Sequence, residues 1–252
     1  AFVSEGINQV TLDRVWVDGY TSGGLAAGFW IKGANVLVTD SRFTNNVAYG
    51  ASAIEIAPGE PYNCGSNLPN VVETVTIRDT LFENNKANTF AGAIRVQCAQ
   101  SGSPGTAVVT LENTRFVNNG SKEGGSGLSV GGGAYVQQVK QLKVHNSQFI
   151  ENVAMSGAAG GLGLYLAESV EVSDSLFEEN VSGYRGGGLF LEGGWNAWAE
   201  SFSVVRTTFR NNHTGTVGGG LSAGNVKHLT VSDCRFYGNT AGSQDGDQHY
   251  AS

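Results

Sequence analysis

Asp40 and Asp79 occupy equivalent places in two neighbouring segments of the chain. Paired carboxylates of this kind can serve acid–base hydrolysis or bind calcium. The same place is taken by Asn113, Asn146, Asp174 and Asp233, and is read as Thr207 in one further segment. Asp and Asn alternating at one place is what a turn requires, because their short side chains hydrogen-bond nearby backbone. The four histidines, His145, His213, His228 and His249, fall at different places and form no cluster. Neither a catalytic set nor a metal-ligand set is expected, and no cofactor is implied. Cys64 and Cys98 lie in long loops of neighbouring segments, where stacked loops would bring them together. A disulfide is expected there, and with it an oxidising, extracytoplasmic setting.

What positions these residues is a repeat. Phe-x-x-Asn occurs at Phe43/Asn46, Phe82/Asn85, Phe116/Asn119, Phe149/Asn152, Phe177/Asn180, Phe209/Asn212 and Phe236/Asn239, and a degenerate first unit ends at Val17. Apolar pairs precede each phenylalanine by seven and five residues: Val36/Val38, Val75/Ile77, Val109/Leu111, Leu142/Val144, Val170/Val172, Phe202/Val204 and Leu229/Val231. Period two with β-branched residues predicts strands. A small hydroxyl slot is read as Ser41, Thr80, Thr114, Ser147, Ser175 and Thr208, with Cys234 there as a buried free thiol. A third alternation follows each asparagine, read as Ile54/Ile56, Ile94/Val96, Ala134/Val136, Leu164/Leu166, Leu189/Leu191 and Leu221/Ala223.

Three short strands per unit cannot close a core alone, but they can if each stacks in parallel on its equivalent. The sequence therefore predicts an all-β, right-handed parallel β-helix of about eight coils, with residues 1–252 forming one segment of a longer chain. At ~4.8 Å per coil, eight coils make a rod of about 38 Å. The seven asparagines from Asn46 to Asn239 are expected as a buried corner ladder that adopts the left-handed conformation. Asn119, Asn180 and Asn212 are also glycosylation sequons, which a buried corner would make fortuitous.

Phe-x-x-Asn together with segments such as Ala91-Gly92-Ala93-Ile94 and Gly132-Gly133-Ala134 resembles the repeat of chlamydial polymorphic outer-membrane proteins. That resemblance covers residues 36 to 242 and implies a β-helical surface passenger with an adhesive role. Resemblance to β-helical polysaccharide enzymes is slight. Trp16-Val17-Asp18-Gly19 is similar to a pectate-lyase Trp-Ile-Asp-His segment, but glycine stands in place of its histidine, and a polygalacturonase-type Gly-His-Gly is missing. A carbohydrate-active enzyme is the alternative reading.

Function in a solenoid is expected where the repeat breaks, because insertions become loops on one face. Long loops leave coils two, three and six, and tight junctions leave coils four and five. The resulting groove has a floor of Gln137, Gln138, Lys140, Gln141, Glu168 and Glu171. One wall carries Trp195 and Trp198, and the other Glu60, Tyr62 and Asn63. The tryptophans either stand up to meet a glycan or extended peptide, or fold back onto the solenoid.

Composition narrows the partners. The chain has 252 residues, 37 of them glycine, and a net charge of −7 without a basic patch, which argues against nucleic acid. No apolar run is long enough to span a bilayer. The chain opens at Ala1-Phe2-Val3 without a signal-peptide pattern. Expected partners are a protein or glycan ligand and neighbouring coils of a longer chain or assembly, at the cell surface or outside the cell.

Overall fold

The protein is described from a computed structural model, which covers residues 7–57, 72–97, 105–121, 131–194 and 198–242, with the backbone alone for 2–4. Among these residues there are 29 strands and no helix, and every pairing is parallel. The fold is the expected right-handed parallel β-helix. Eight coils are counted by the eight-stranded sheet, whose rungs run from Trp16–Asp18 through Arg42–Thr44 to Arg235–Tyr237.

In each rung the central residue points inward, and the phenylalanines stack face on face. Phe43, Phe82, Phe116, Phe149, Phe177, Phe209 and Phe236 have ring centroids 4.7 to 5.1 Å apart. Their planes lie within 10° of parallel. The ~4.8 Å coil repeat dictates this spacing, because one residue per coil occupies the same site. A seven-stranded sheet of two-residue strands, such as Val47–Ala48 and Val153–Ala154, follows the asparagines, and strands this short leave no apolar alternation in the sequence to mark them.

Three residues after the phenylalanines, the asparagines form a second continuous ladder. Asn46, Asn85, Asn119, Asn152, Asn180 and Asn212 are fully buried. Asn85 is typical: its Nδ2 donates to Asn119 Oδ1 at 2.9 Å and to the Phe43 carbonyl at 2.8 Å. Asn239 departs from the expected burial. It is only half-buried, because it belongs to the last coil described and no further rung covers it. Its Nδ2 still reaches the Phe209 carbonyl at 2.9 Å, and its oxygen accepts from Asn212.

The expected left-handed backbone of this ladder is corrected at every rung: none of the seven, Asn85 and Asn239 included, has a positive φ. The residue before each one turns the chain instead. Asn45, Asn84, Glu151, Glu179 and Asn211 have φ between 52° and 57°, Asn118 has 49°, and Gly238, ahead of Asn239, has 66°. The ladder amides are held in place by coil-to-coil hydrogen bonds, which need the side chain to point inward from an extended backbone.

The first and third strands of the coils share one 14-stranded sheet. They are joined where Ala134–His145 and Leu162–Ser173 run straight from a third strand into the next first strand. These are the tight junctions of coils four and five. Each turns at one left-handed residue, Gln138 (φ 57°) or Leu166 (φ 63°).

Register corrects two further assignments. Ala134 pairs with Leu162 and Val136 with Leu164, so the fifth coil's third rung is Leu162/Leu164; Leu166 is the corner. Between Phe202 and Phe209 the left-handed corner is Arg206, and Thr207, not Thr208, is the buried hydroxyl.

Close approach explains the glycine runs. A β-carbon on Gly187 would lie 2.3 Å from the Gly219 carbonyl oxygen, and Gly186 sits at φ 59°. These runs cross the outside of the third strands, and Ala158, Ala159 and Phe190 pack there as a small second core.

Candidate functional site

The corner between the first and second strands of each coil is built on a repeated device. Its left-handed residue is Arg14, Asp40, Asp79, Asn113, Asn146, Asp174, Arg206 or Asp233, with φ from 47° to 55°. The next residue turns its hydroxyl inward. Ser41 Oγ donates to the Thr39 carbonyl at 2.7 Å and accepts from the Val15 amide at 3.0 Å. Ser147 does the same with His145 and Thr114, at 2.9 and 3.2 Å. Cys234 occupies this place in the last coil as a half-buried rather than buried free thiol, 3.3 Å from the Ser232 carbonyl. With the hydroxyls consumed inside, the corner side chains are thrown outward.

Three hollows line up along this corner. The first, about 260 Å³, is lined by Arg14, Val15, Trp16, Asp40 and Arg42. The second, about 410 Å³, has Asp40 and Asp79 with Asn113 on one bank and Arg42 and Arg115 on the other. The third, about 460 Å³, is lined by Asn146, Asp174, Arg206, Arg210 and Tyr237 among others. Asp40 and Arg42 belong to both of the first two, which therefore form one trough.

The charges of the two ends differ. In the third hollow Arg206 holds Asp174 with two bonds, at 2.6 and 2.8 Å, and its hydrogen bonds hold the Asp174 carboxyl below the usual range. Arg210 is bound to Glu178, which keeps its guanidinium firmly protonated. In the trough, Asp40 and Arg42 form no ion pair among the described residues. Asp79 accepts one bond from the Asn113 amide, and Arg115 Nε donates to Gln148 at 3.2 Å.

No protein-family model, curated protein or solved structure matches the chain.

Of the groove inferred over coils four and five, Trp195, Glu60, Tyr62 and Asn63 lie outside the described residues, as do Cys64 and Cys98. Trp198 is 61% exposed, so it does not fold back onto the solenoid. Lys140, Glu168 and Glu171 are exposed, and Gln141 donates to Glu171 at 3.0 Å. Gln138 is only 5% exposed and its amide oxygen accepts from Gln97, so it closes the corner instead of presenting itself to a ligand. The histidines stay apart: Nδ1 of His145 bonds Ser173 Oγ and Nδ1 of His213 bonds Thr240 Oγ1, each at 2.8 Å, and His249 lies outside the described residues. Among the described residues no group of three or more His, Cys, Asp or Glu could hold a metal ion.

One charged cluster escaped sequence reasoning. Glu55 points away from the core, between inward Ile54 and Ile56, yet it is 1% exposed. The small-residue run that precedes its strand folds back over it, and the Ala51 backbone bonds its carboxylate. Arg95, in register on the next coil, reaches Glu55 Oε1 at 2.6 Å and Gln97 at 2.7 Å, with its guanidinium 3.9 Å from the Phe90 ring centre. Burial pushes the Glu55 carboxyl up to about 7, and Arg95 pulls against that rise.

Proposed function

We propose that this protein is a rigid, non-catalytic β-helical module of a cell-surface or extracellular protein, acting in adhesion or as a stalk. Its ligand lies along the corner groove between the first and second strands. The observation that carries this reading is the row of three hollows along one corner of a rod whose asparagine ladder is hydrogen-bonded inside it.

Rigidity follows from the ladders. Asparagine side chains and phenylalanine rings repeat without a break through seven coils, so bending the rod would break hydrogen bonds and ring contacts together. A linear ligand meets similar groups at every coil, and a few contacts per coil add along its length. The repeat's resemblance to chlamydial surface passengers supports the same reading, as does the disulfide expected between Cys64 and Cys98. Among the described residues no helix is long and apolar enough to cross a membrane.

The test is to incubate the folded chain with immobilised cells and a polysaccharide panel, then analyse both retention and supernatant. Retention without soluble products is the expected result. Released oligosaccharide or an unsaturated product would overturn this reading in favour of a carbohydrate-active enzyme.

A further inference from the structure

The trough from Trp16 to Arg115 differs from the rest of the groove because Asp40, Arg42, Asp79 and Arg115 form no ion pair among the described residues, although Arg14 at its head is bound to Asp13. We infer that it binds a neutral, polyhydroxylated glycan chain laid along the rod, an inference that rests on the groove-binding function proposed above and specifies its ligand.

Three observations converge. Trp16 is 74% exposed, the most exposed large apolar side chain among the described residues, and its indole N–H reaches Thr44 Oγ1 at 3.4 Å, which orients the ring at the head of the trough. An exposed aromatic ring offers a flat apolar face to the C–H side of a sugar while the sugar's hydroxyls remain free. The banks then supply both hydrogen-bonding senses. Asp40 and Asp79 can only accept, Arg42 and Arg115 can only donate, and a hydroxyl does both. From Trp16 to Arg115 is three coil steps, ~14 Å, the scale of a short oligosaccharide segment.

The same banks reject the alternatives. A polyanion would be drawn by Arg42 but repelled by Asp40, Asp79 and the net charge of −7. A polycation would meet Arg42 and Arg115. A peptide recognised by strand addition needs an open edge, whereas Arg42–Thr44 and Leu81–Glu83 are already paired on both sides. In the third hollow the arginines are already engaged by Asp174 and Glu178, so the hydroxyl-binding groups are offered mainly by the trough.

The experiment is titration calorimetry of the folded chain with neutral oligosaccharides derived from cellulose, xylan and mannan, against oligogalacturonate and cationic chitosan oligomers. Binding of a neutral series is expected. Trp16→Ala and Arg42→Ala should each weaken it about ten-fold or more. Lys227→Gln, at an exposed residue on the first strand of the last coil described and outside all three hollows, should leave it unchanged. Melting temperatures should be nearly unaltered in all three, since the side chains are exposed. Binding that ignores Trp16→Ala and Arg42→Ala, preference for the charged oligomers, or no saccharide binding would overturn the inference. If adhesion to surfaces stripped of glycans persists in that last case, the proposed function stands without it. Binding at the trough accompanied by cleavage would uphold the ligand class and overturn the non-catalytic reading.

Discussion

Asn180 Oδ1 lies 3.0 Å from both the backbone nitrogen and the side-chain Nδ2 of Asn152, one coil below it. The other Nδ2 hydrogen of Asn152 goes to the Phe116 carbonyl at 2.9 Å, and its own oxygen accepts both nitrogens of Asn119. Every polar group of a fully buried amide thus has a partner, and the partners come from the two coils that flank it. Buried polar groups satisfied this completely rigidify a core, and partly satisfied ones destabilise it.

Asn152→Ala should therefore be severe. It strands the Phe116 carbonyl and the Asn119 donors in a dry interior, and each such group costs ~1–3 kcal/mol. A loss of at least about 3 kcal/mol is expected in chemical denaturation. Asn239→Ala should cost visibly less, because that amide is half-buried and water can reach the groups it leaves behind.

Glu151, the preceding residue, is held at φ 55° without the side-chain chemistry that favours that region. Glu151→Asn should stabilise the protein by about 0.5–1 kcal/mol, read as a higher denaturation midpoint with an unchanged slope. A fall would show that Glu151 makes a stabilising contact of its own.

Glu55 gives the protein a pH dependence. Its folded value of about 7 exceeds its ordinary 4.5, so the fold favours the protonated form. The stability it contributes is complete below about pH 4.5 and is lost progressively up to about pH 7, a change on the order of 3 kcal/mol. Denaturation midpoints should drop across that window, and Glu55→Gln should flatten the drop.

The sequons at Asn119, Asn180 and Asn212 should stay bare when the chain is made in a glycosylating host, because all three amides are buried in the ladder. Intact-mass analysis of the secreted, folded protein checks this; a glycan on any of the three would place that corner in solvent.

Peptide mapping without reduction should find Cys64 joined to Cys98 and Cys234 free. Two free thiols at 64 and 98 would remove the disulfide as support for an extracellular setting.

The sequence by itself determined the ladders. Inward positions repeat at fixed offsets, and each site in a stacked solenoid is filled once per coil, so Phe177, Asn180 and Val170 read out their own surroundings. Offsets mislead where similar residues lie close together in the chain, as with Thr207 and Thr208 or Leu162, Leu164 and Leu166. They also leave open which of two adjacent residues makes the left-handed turn, Asn84 or Asn85, since asparagine suits both places. Nor do they show which rungs are covered, and Asn239, in the last coil described, is half-buried. Alternation along a strand says which residues point away from the core, but not what awaits them there. Glu55 and Trp16 are both outward by parity; a fold-back of small residues buries the first and nothing covers the second. Likewise Asp40 and Asp174 occupy equivalent corners, and only the register of the neighbouring coil pairs one with Arg206 and leaves the other without an ion pair beside Arg42. Burial and charge pairing depend on contacts between coils, from residues 26 to 42 positions apart in the chain, and those only the tertiary structure decides.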